Sequence, residues 1–117
     1  MSIRVLIVDD HAVFRAGLRM LIDAEADLEA VGEAGTGRDA VFQARALKPD
    51  VILLDIVMPD QSGLDVVPTL LHERPETKVL FMSAYSEHGA LIGKPKFIAK
   101  PFSVDDMVKA VSDALGE

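Results

Sequence analysis

The chain has 117 residues, 50% of them hydrophobic and 5% aromatic, which predicts one domain with an aliphatic core. It contains no cysteine, which excludes disulfides and thiol chemistry, and its pattern predicts neither a membrane span nor a secretory signal peptide. The formal net charge is −7, and no dense patch of lysine and arginine is present, so direct nucleic-acid binding by this domain is not expected.

Five apolar runs rich in β-branched residues predict five strands. The predicted strands are Ile3–Val8, Leu28–Ala34, Val51–Asp55, Lys78–Met82 and Phe97–Ala99. The third run has no polar break before Asp55, which indicates a strand covered on both faces. The second run alternates loosely, which favours a shorter strand nearer the edge of the sheet.

Amphipathic patterns between the strands predict helices. The residues expected to face the core are Phe14, Leu18, Leu21 and Ile22 in the first helix, Ala40, Val41, Ala44 and Leu47 in the second, and Val104, Met107, Val108, Val111 and Leu115 in the last. Capping signatures begin at Thr36 and Ser103. A third helix is predicted from about Gly63 to Glu73, with a late start or a kink, because Pro68 lies inside it.

Strands that alternate with helices predict a parallel sheet with helices on both faces, an open five-stranded α/β sandwich. Five polar residues then follow the carboxyl ends of strands one, three, four and five. They are Asp9, Asp10, Asp55, Ser83 and Lys100. Because the carboxyl ends of parallel strands share one edge, we expect these side chains to converge there, where open α/β sheets bind ligands.

Three carboxylates placed together repel one another unless a positive charge lies among them. A hard divalent cation such as Mg²⁺ satisfies one or two carboxylates and keeps several waters. Lys100 adds a mobile positive charge suited to a phosphoryl oxygen. A carboxylate such as Asp55 can attack phosphorus and form an aspartyl phosphate, so the pattern predicts Mg²⁺-dependent phosphoryl chemistry.

Four motifs in order resemble the receiver domain of bacterial two-component response regulators. They are VLIVDDH (Val5 to His11), LLDIVMPDQSGLD (Leu53 to Asp65), FMSAY (Phe81 to Tyr85) and FIAKPF (Phe97 to Phe102). The resemblance covers nearly the whole chain, 1–117, as a single receiver domain without an output domain. The segment DDHAVFRAGLRMLI further resembles the subfamily with a C-terminal LuxR-type helix-turn-helix output domain.

The resemblance implies that Asp55 is the phosphate acceptor and that Lys100 and Ser83 contact the phosphoryl group. It also implies that Ser83, Phe97 and Tyr85 take part in switching or tune dephosphorylation. Simpler readings stay open for three of them: Ser83 as the end of a strand, Phe97 as core packing and Tyr85 as a surface aromatic.

The resemblance implies a metal site as well. Asp10 would bind Mg²⁺ directly, Asp9 would act mainly through water, and Asp55 and the backbone carbonyl of Val57 would be further ligands. The three histidines lack the spacing of metal ligands and are interpreted as surface or cap residues. They are His11, His72 and His88. His11 follows the acid pair and is expected at the rim of the pocket.

The fold implied is flavodoxin-like (CheY-like), a three-layer sandwich with strand order 2-1-3-4-5. Between Ser83 and Lys100 the chain is about five residues shorter than is usual in the family, and residues 83–96, fourteen in number, approach the roughly dozen residues that a parallel crossover needs. With Gly89, Gly93 and Pro95 inside it, this span predicts a fourth helix that is shortened or disordered.

The function implied is that of a cytoplasmic, non-enzymatic phosphoacceptor. A sensor histidine kinase or phosphotransfer protein would phosphorylate Asp55, and phosphorylation would switch a protein-interaction surface and so regulate transcription; a homodimer could form on phosphorylation. Two alternatives remain. One is a pseudo-receiver that binds partners without phosphotransfer, favoured by the altered fourth-helix region. The other is a Mg²⁺-dependent phosphohydrolase, although the haloacid-dehalogenase type carries its nucleophile on the first strand.

Overall fold

The computed structural model of the protein describes residues 2–84, 97–100 and 102–116. The strands are β1 (Ile3–Val8), β2 (Leu28–Ala34), β3 (Val51–Asp55), β4 (Lys78–Ser83) and β5 (Phe97–Ala99). The helices are α1 (Ala12–Asp23), α2 (Gly37–Leu47), α3 (Gly63–Glu73) and the last helix (Val104–Leu115). All strand pairs are parallel and the order is β2-β1-β3-β4-β5, which confirms the flavodoxin-like topology.

Helices cover both faces of the sheet because alternate strand residues point to opposite sides. On one face, β1 residues Val5 and Ile7 belong to a core shared with α1 and the last helix. On the other face, Leu6 and Val8 belong to a core shared with α2 and α3. Every residue of β3 is buried, as the unbroken apolar run predicts for a central strand. The three-layer sandwich is therefore confirmed.

The predicted inner faces are correct except at their margins. Leu18 and Ile22 of α1 are buried, and Met107 and Val111 of the last helix are buried. Leu21, however, is 37% exposed, so its prediction as a core residue is wrong. A helical turn of 3.6 residues places Leu21 beyond the stripe that Leu18 and Ile22 turn to the sheet.

Two local predictions are corrected. The helix α3 begins at Gly63, so of the late start or kink predicted from Pro68 the late start is wrong, and the kink stays a prediction. Pro68 and Leu64 are both exposed, so water can serve the Leu64 carbonyl that the missing proline N–H leaves unbonded. The strand β2 is an edge strand as predicted, but it is seven residues long and not short. A register shift opposite Val5 and Leu6 absorbs its extra residue.

Helix starts follow the predicted capping signatures. The Thr36 hydroxyl accepts a hydrogen bond from Asp39 N at 3.1 Å. Ser103 and Asp106 form a reciprocal capping box at the last helix. The start of α2 has a second cap from a distant loop, because the Asp60 carboxylate accepts hydrogen bonds from Gly37 N at 2.9 Å and Arg38 N at 3.2 Å.

The predicted shortening or disorder of the fourth helix, between β4 and β5, concerns residues 85–96, which lie outside the described residues. Among the helices that the structure describes, none combines the length and the apolar character needed to cross a membrane.

Candidate functional site

The carboxyl ends of four strands bring polar side chains to one edge of the sheet. Asp9 directly follows β1, Asp55 ends β3, Ser83 ends β4 and Lys100 directly follows β5. A backbone hydrogen bond of 2.8 Å from Lys100 N to Ser83 O holds the end of β5 beside β4. The convergence predicted from the sequence is therefore present.

Asp9 is a fully buried carboxylate with several partners. Its Oδ1 accepts a hydrogen bond from His11 N at 2.9 Å, and its Oδ2 is paired with the Lys100 ammonium. Its backbone carbonyl accepts a hydrogen bond from the guanidinium of Arg15 on α1. The position of Asp9 is thus fixed through both its side chain and its main chain.

Asp55 is only 3% exposed because the apolar strand β3 carries it into the interior. Its Oδ1 lies 3.7 Å from Lys100 Nζ and accepts a weak hydrogen bond from Val57 N at 3.4 Å. The pKa of Asp55 is raised to about 6, first by burial of the carboxyl group and then by repulsion from Asp9, while Lys100 opposes the shift. An added positive charge next to Asp55 would lower this pKa and stabilise the ionised carboxylate.

Lys100 lies between the two buried acids, in contact with Asp9 and close to Asp55. The ring of Phe14 on α1 faces the ammonium, with 4.2 Å from Nζ to the ring centroid. Phe14 in turn meets Phe102 edge to face, with centroids 6.0 Å apart. These contacts restrict the long lysine side chain and hold its charge over the carboxylates.

Asp9, Asp10, His11 and Asp55 each offer one ligand atom, and these atoms all lie within 4.8 Å of one another. We call Asp9, Asp10 and Asp55, together with Lys100, the acidic cluster. Three carboxylates beside one ammonium leave a formal excess of negative charge. The donors are carboxylate oxygens, the ligand type that hard divalent cations prefer, so these residues fit a bound Mg²⁺.

The structure describes three of the four remaining predicted site residues. Ser83 is buried at the end of β4, next to Asp55 in the sheet order. Val57 is exposed two residues after Asp55, and its N–H faces the Asp55 carboxylate. Phe97 is half-buried against the core on the α2 and α3 face, which fits a packing role and leaves its switching role a prediction. Tyr85 lies outside the described residues.

Sequence reasoning did not predict three contacts at this site. Phe14 was assigned only to the core, yet its ring also faces Lys100. His11 was expected as a surface or cap residue at the rim of the pocket, and it is exposed there; what was not predicted is that its Nδ1 lies 3.1 Å from both Asp9 Oδ1 and Asp10 Oδ1. Gly63 lies so close to β3 that a Cβ there would be 2.3 Å from the Asp55 carbonyl oxygen. The glycine four residues after Met58-Pro59 was a signal for such a close approach.

Comparison with known proteins gives a consistent result. Residues 5–112 match the response regulator receiver domain family. The response regulator protein VraR of Staphylococcus aureus is 34% identical over 116 residues, which cover 95% of this chain and 56% of VraR. The chain thus spans about half the length of the curated relatives it matches.

Two solved structures extend the likeness to the fold. The response regulator domain of Thermotoga maritima CheB is 34% identical with a TM-score of 0.88, covering 100% of this chain and 98% of that domain. The signal receiver domain of the response regulator NarL from Mycobacterium tuberculosis is 32% identical with a TM-score of 0.85, covering 98% and 97%. These likenesses agree with the resemblance drawn from the four motifs.

The motifs lie in order along the chain, the strands have the expected order, and the acids and the lysine meet at one edge of the sheet. The family match covers most of the sequence. The chain belongs to the response regulator receiver domain family.

Proposed function

We propose that this receiver domain is a phosphorylation switch in which Asp55 accepts a phosphoryl group. The donor would be a phosphohistidine of a sensor histidine kinase or a phosphotransfer protein. The observation that supports this most is the position of Lys100, whose ammonium lies beside two buried carboxylates at the carboxyl edge of the sheet.

In the proposed reaction, an Asp55 carboxylate oxygen forms a bond to phosphorus while the bond from phosphorus to the donor nitrogen breaks. The donor nitrogen keeps the electron pair. Lys100 is near enough to Asp55 to contact an oxygen of the arriving phosphoryl group. Ser83, on the neighbouring strand, would donate a hydrogen bond to another oxygen and so report the modification to β4.

The acids Asp9, Asp10 and Asp55, with the Val57 carbonyl, would hold Mg²⁺. When bound, the ion neutralises charge on the phosphoryl oxygens. The protein's own contribution is to keep these oxygen donors together at the end of a buried sheet, a preorganisation that the main-chain contact from Arg15 to Asp9 supports.

Phosphorylation of Asp55 would change the surface through which the domain binds its partners. A phosphoryl group at Asp55 adds negative charge next to Ser83, and Phe97 and Tyr85 would change position in response. We propose that residues 1–117 act as one receiver domain of a cytoplasmic, transcription-regulating protein with a LuxR-type helix-turn-helix elsewhere in its sequence. The phosphorylated domain would form homodimers, and nucleic acid would be bound elsewhere in the protein.

Within this scheme the domain is a signalling protein that catalyses only its own phosphorylation and dephosphorylation. The phosphohydrolase alternative is disfavoured, because the candidate nucleophile ends β3 and the chain belongs to a signalling family. The pseudo-receiver alternative is disfavoured by the complete set of acids and the lysine, and the experiment below separates it from the switch.

The test is intact-mass spectrometry after incubation with acetyl phosphate. Wild type, Asp55→Asn and the control Asp65→Asn, an exposed acid on α3, are compared with Mg²⁺ and with EDTA. A single phosphoryl adduct in wild type and the control, dependent on Mg²⁺ and absent in Asp55→Asn, is expected. A folded wild type that forms no adduct in either condition and also fails to bind Mg²⁺ would favour the pseudo-receiver over the switch.

A further inference from the structure

The loop between β3 and α3, residues 56–62, directly follows the proposed phosphate acceptor and is held at both of its ends. At one end the Ile56 N–H donates a hydrogen bond to the Met82 carbonyl at 3.0 Å. At the other, the Gly63 N–H donates to the Ile56 carbonyl at 2.7 Å. Between these points Val57 is 52% exposed, so packing of its side chain does not fix its peptide groups. Their position depends on what holds the rest of the loop.

The middle of this loop is attached to the start of α2 through Asp60. One oxygen of the Asp60 carboxylate accepts a hydrogen bond from Gly37 N at 2.9 Å, and the other accepts one from Arg38 N at 3.2 Å. The Gln61 side chain packs against the same helix start, where a Cβ on Gly37 would lie 2.6 Å from its Nε2. The helix dipole favours a negative charge at this end. Hydrogen bonds, charge and packing therefore all hold the loop against α2.

The helix α2 also has a cap of its own. The Thr36 hydroxyl accepts a hydrogen bond from Asp39 N at 3.1 Å, which is the usual way in which a helix start is satisfied. The contacts from Asp60 come from the other side of the sheet order, out of the loop after β3. Because α2 begins with its own cap, these contacts have a second consequence, which is to restrict the loop.

We propose that Asp60 is a positioning residue that fixes Val57 relative to Asp55 and thereby sets the affinity of the site for Mg²⁺. This inference rests on the proposed function, in which the Val57 carbonyl is a Mg²⁺ ligand. Val57 N lies 3.4 Å from Asp55 Oδ1. Only Met58, which is buried, and Pro59, whose ring fixes φ, separate Val57 from Asp60, so the chain between them has little freedom.

A role of Asp60 in the stability of α2 alone makes a different prediction. In that case Asp60→Ala would lower the free energy of unfolding, as Thr36→Ala does when it removes the other cap, and the folded protein would keep its Mg²⁺ affinity. A positioning role lowers the Mg²⁺ affinity in Asp60→Ala and leaves it unchanged in Thr36→Ala. The two caps of one helix thus serve as a matched pair.

The experiment is titration of the ¹⁵N-labelled protein with Mg²⁺, in which amide chemical shifts in nuclear magnetic resonance spectra give the dissociation constant. We expect Asp60→Ala to weaken Mg²⁺ binding about tenfold, the loss typical when a residue that orients a metal ligand is removed. Asp60→Asn keeps one acceptor oxygen and is expected to fall between Asp60→Ala and wild type. Thr36→Ala and Asp65→Asn, which removes an exposed acid in the first turn of α3, are expected to match wild type.

The possible results distinguish this inference from the proposed function. Unchanged Mg²⁺ affinity in folded Asp60→Ala, or an equal loss in Asp60→Ala and Thr36→Ala, overturns the positioning role. Mg²⁺-dependent phosphorylation of wild type by acetyl phosphate keeps the proposed function in either case. A folded wild type that neither binds Mg²⁺ nor forms the phosphoryl adduct overturns both.

The wild type alone provides a second measurement, which does not depend on the folding of a variant. If Asp60 couples the loop to α2, Mg²⁺ is expected to shift the amide resonances of Gly37 and Arg38 with the same midpoint as that of Val57, because coupling between two places is reciprocal. A shift at Val57 without any change at Gly37 and Arg38 contradicts the positioning role.

Discussion

Two charged groups of residues flank the end of β1, and they are balanced in opposite ways. The acidic cluster sets three carboxylates against one ammonium, in a largely buried place. Nearby, Arg15 and Arg19 of α1 hold Glu33 of β2, with N–O distances of 3.1 and 2.8 Å. We call Arg15, Arg19 and Glu33 the arginine network.

The two groups shift acid pKa values in opposite directions. Hydrogen bonds, first from Arg19 and then from Arg15, hold the pKa of Glu33 below its usual range, so its charge is satisfied within the fold. Burial and repulsion from Asp9 raise the pKa of Asp55 to about 6, so the negative charge of its ionised carboxylate is not fully compensated within the fold. The comparison teaches that paired charges in this protein support structure, whereas the unbalanced ones mark the place for a ligand.

The largest effect is expected from removing the one cation of the acidic cluster. Lys100→Met should slow phosphorylation of Asp55 by acetyl phosphate about 100-fold, the typical loss when a charge-stabilising group is removed. Lys109→Met, an exposed lysine of the last helix paired with Asp113 at 2.9 Å, is the matched control. Time-resolved intact-mass spectrometry measures both rates. Equal phosphorylation rates in Lys100→Met and wild type would show that Lys100 does not contribute to the reaction.

The next effect concerns stability in the absence of divalent ions. Because the pKa of Asp55 is raised on folding, the folded state loses stability as pH rises from about 4 to about 6. Asp55→Asn removes that penalty and should raise the free energy of unfolding by about 3 kcal/mol above that range. The difference should vanish below about pH 4, where the carboxyl group is protonated in both states.

Urea unfolding in EDTA, at a series of pH values, measures this difference, with Asp65→Asn as the control. Added Mg²⁺ should stabilise wild type more than Asp55→Asn and narrow the gap, because the ion binds the folded state. An Asp55→Asn variant that is less stable than wild type at neutral pH would mean that the carboxylate is satisfied without a ligand.

In the arginine network, replacing the acid should lower the free energy of unfolding instead of raising it. Glu33→Gln is expected to lower the free energy of unfolding by about 1 kcal/mol near neutral pH, the upper range for a partly exposed ion pair. Because the pKa of Glu33 is lowered on folding, this contribution is present above about pH 4.3 and is lost as pH falls further. Glu29→Gln, an exposed acid on the same strand, is the control for urea unfolding. A stabilising effect of Glu33→Gln would refute the comparison.

The smallest effect is expected at Phe14, which contacts the acidic cluster through Lys100. Phe14→Leu keeps an apolar side chain but removes the ring, and a cation–π contact of about 0.5–1 kcal/mol corresponds to a two- to fivefold slower phosphorylation. Phe42→Leu on α2, where the ring is 67% exposed, is the control. A phosphorylation rate in Phe14→Leu equal to that of Phe42→Leu would show that Lys100 needs no support from the ring.

The fold and the convergence of the site were predictable because both depend on short-range pattern. Apolar runs such as Val51–Asp55 end in acids, and parallel strands bring those ends together whatever the details of packing. The apolar stripe of α1 was predicted for the same reason, although its margin at Leu21 was not.

The parts that were not predicted depend on distances between elements. Periodicity assigns Phe14 to the core but gives no indication that its ring reaches Lys100, which is distant in sequence. The sequence shows that two acids precede His11. That the His11 imidazole contacts both of them depends on the backbone conformation at the start of α1. Pro68 did not delay the start of α3, and its exposed position leaves the unbonded Leu64 carbonyl open to water.

The cap that Asp60 supplies to α2 has a consequence for cooperativity. The carboxylate belongs to the loop after β3, yet it satisfies the first amides of a helix more than twenty residues earlier, and these bonds hold its pKa below the usual range. Opening of that loop therefore exposes Gly37 and Arg38 to solvent exchange at the same moment. We therefore expect the loop that follows β3 and the first turn of α2 to open as one unit of local unfolding.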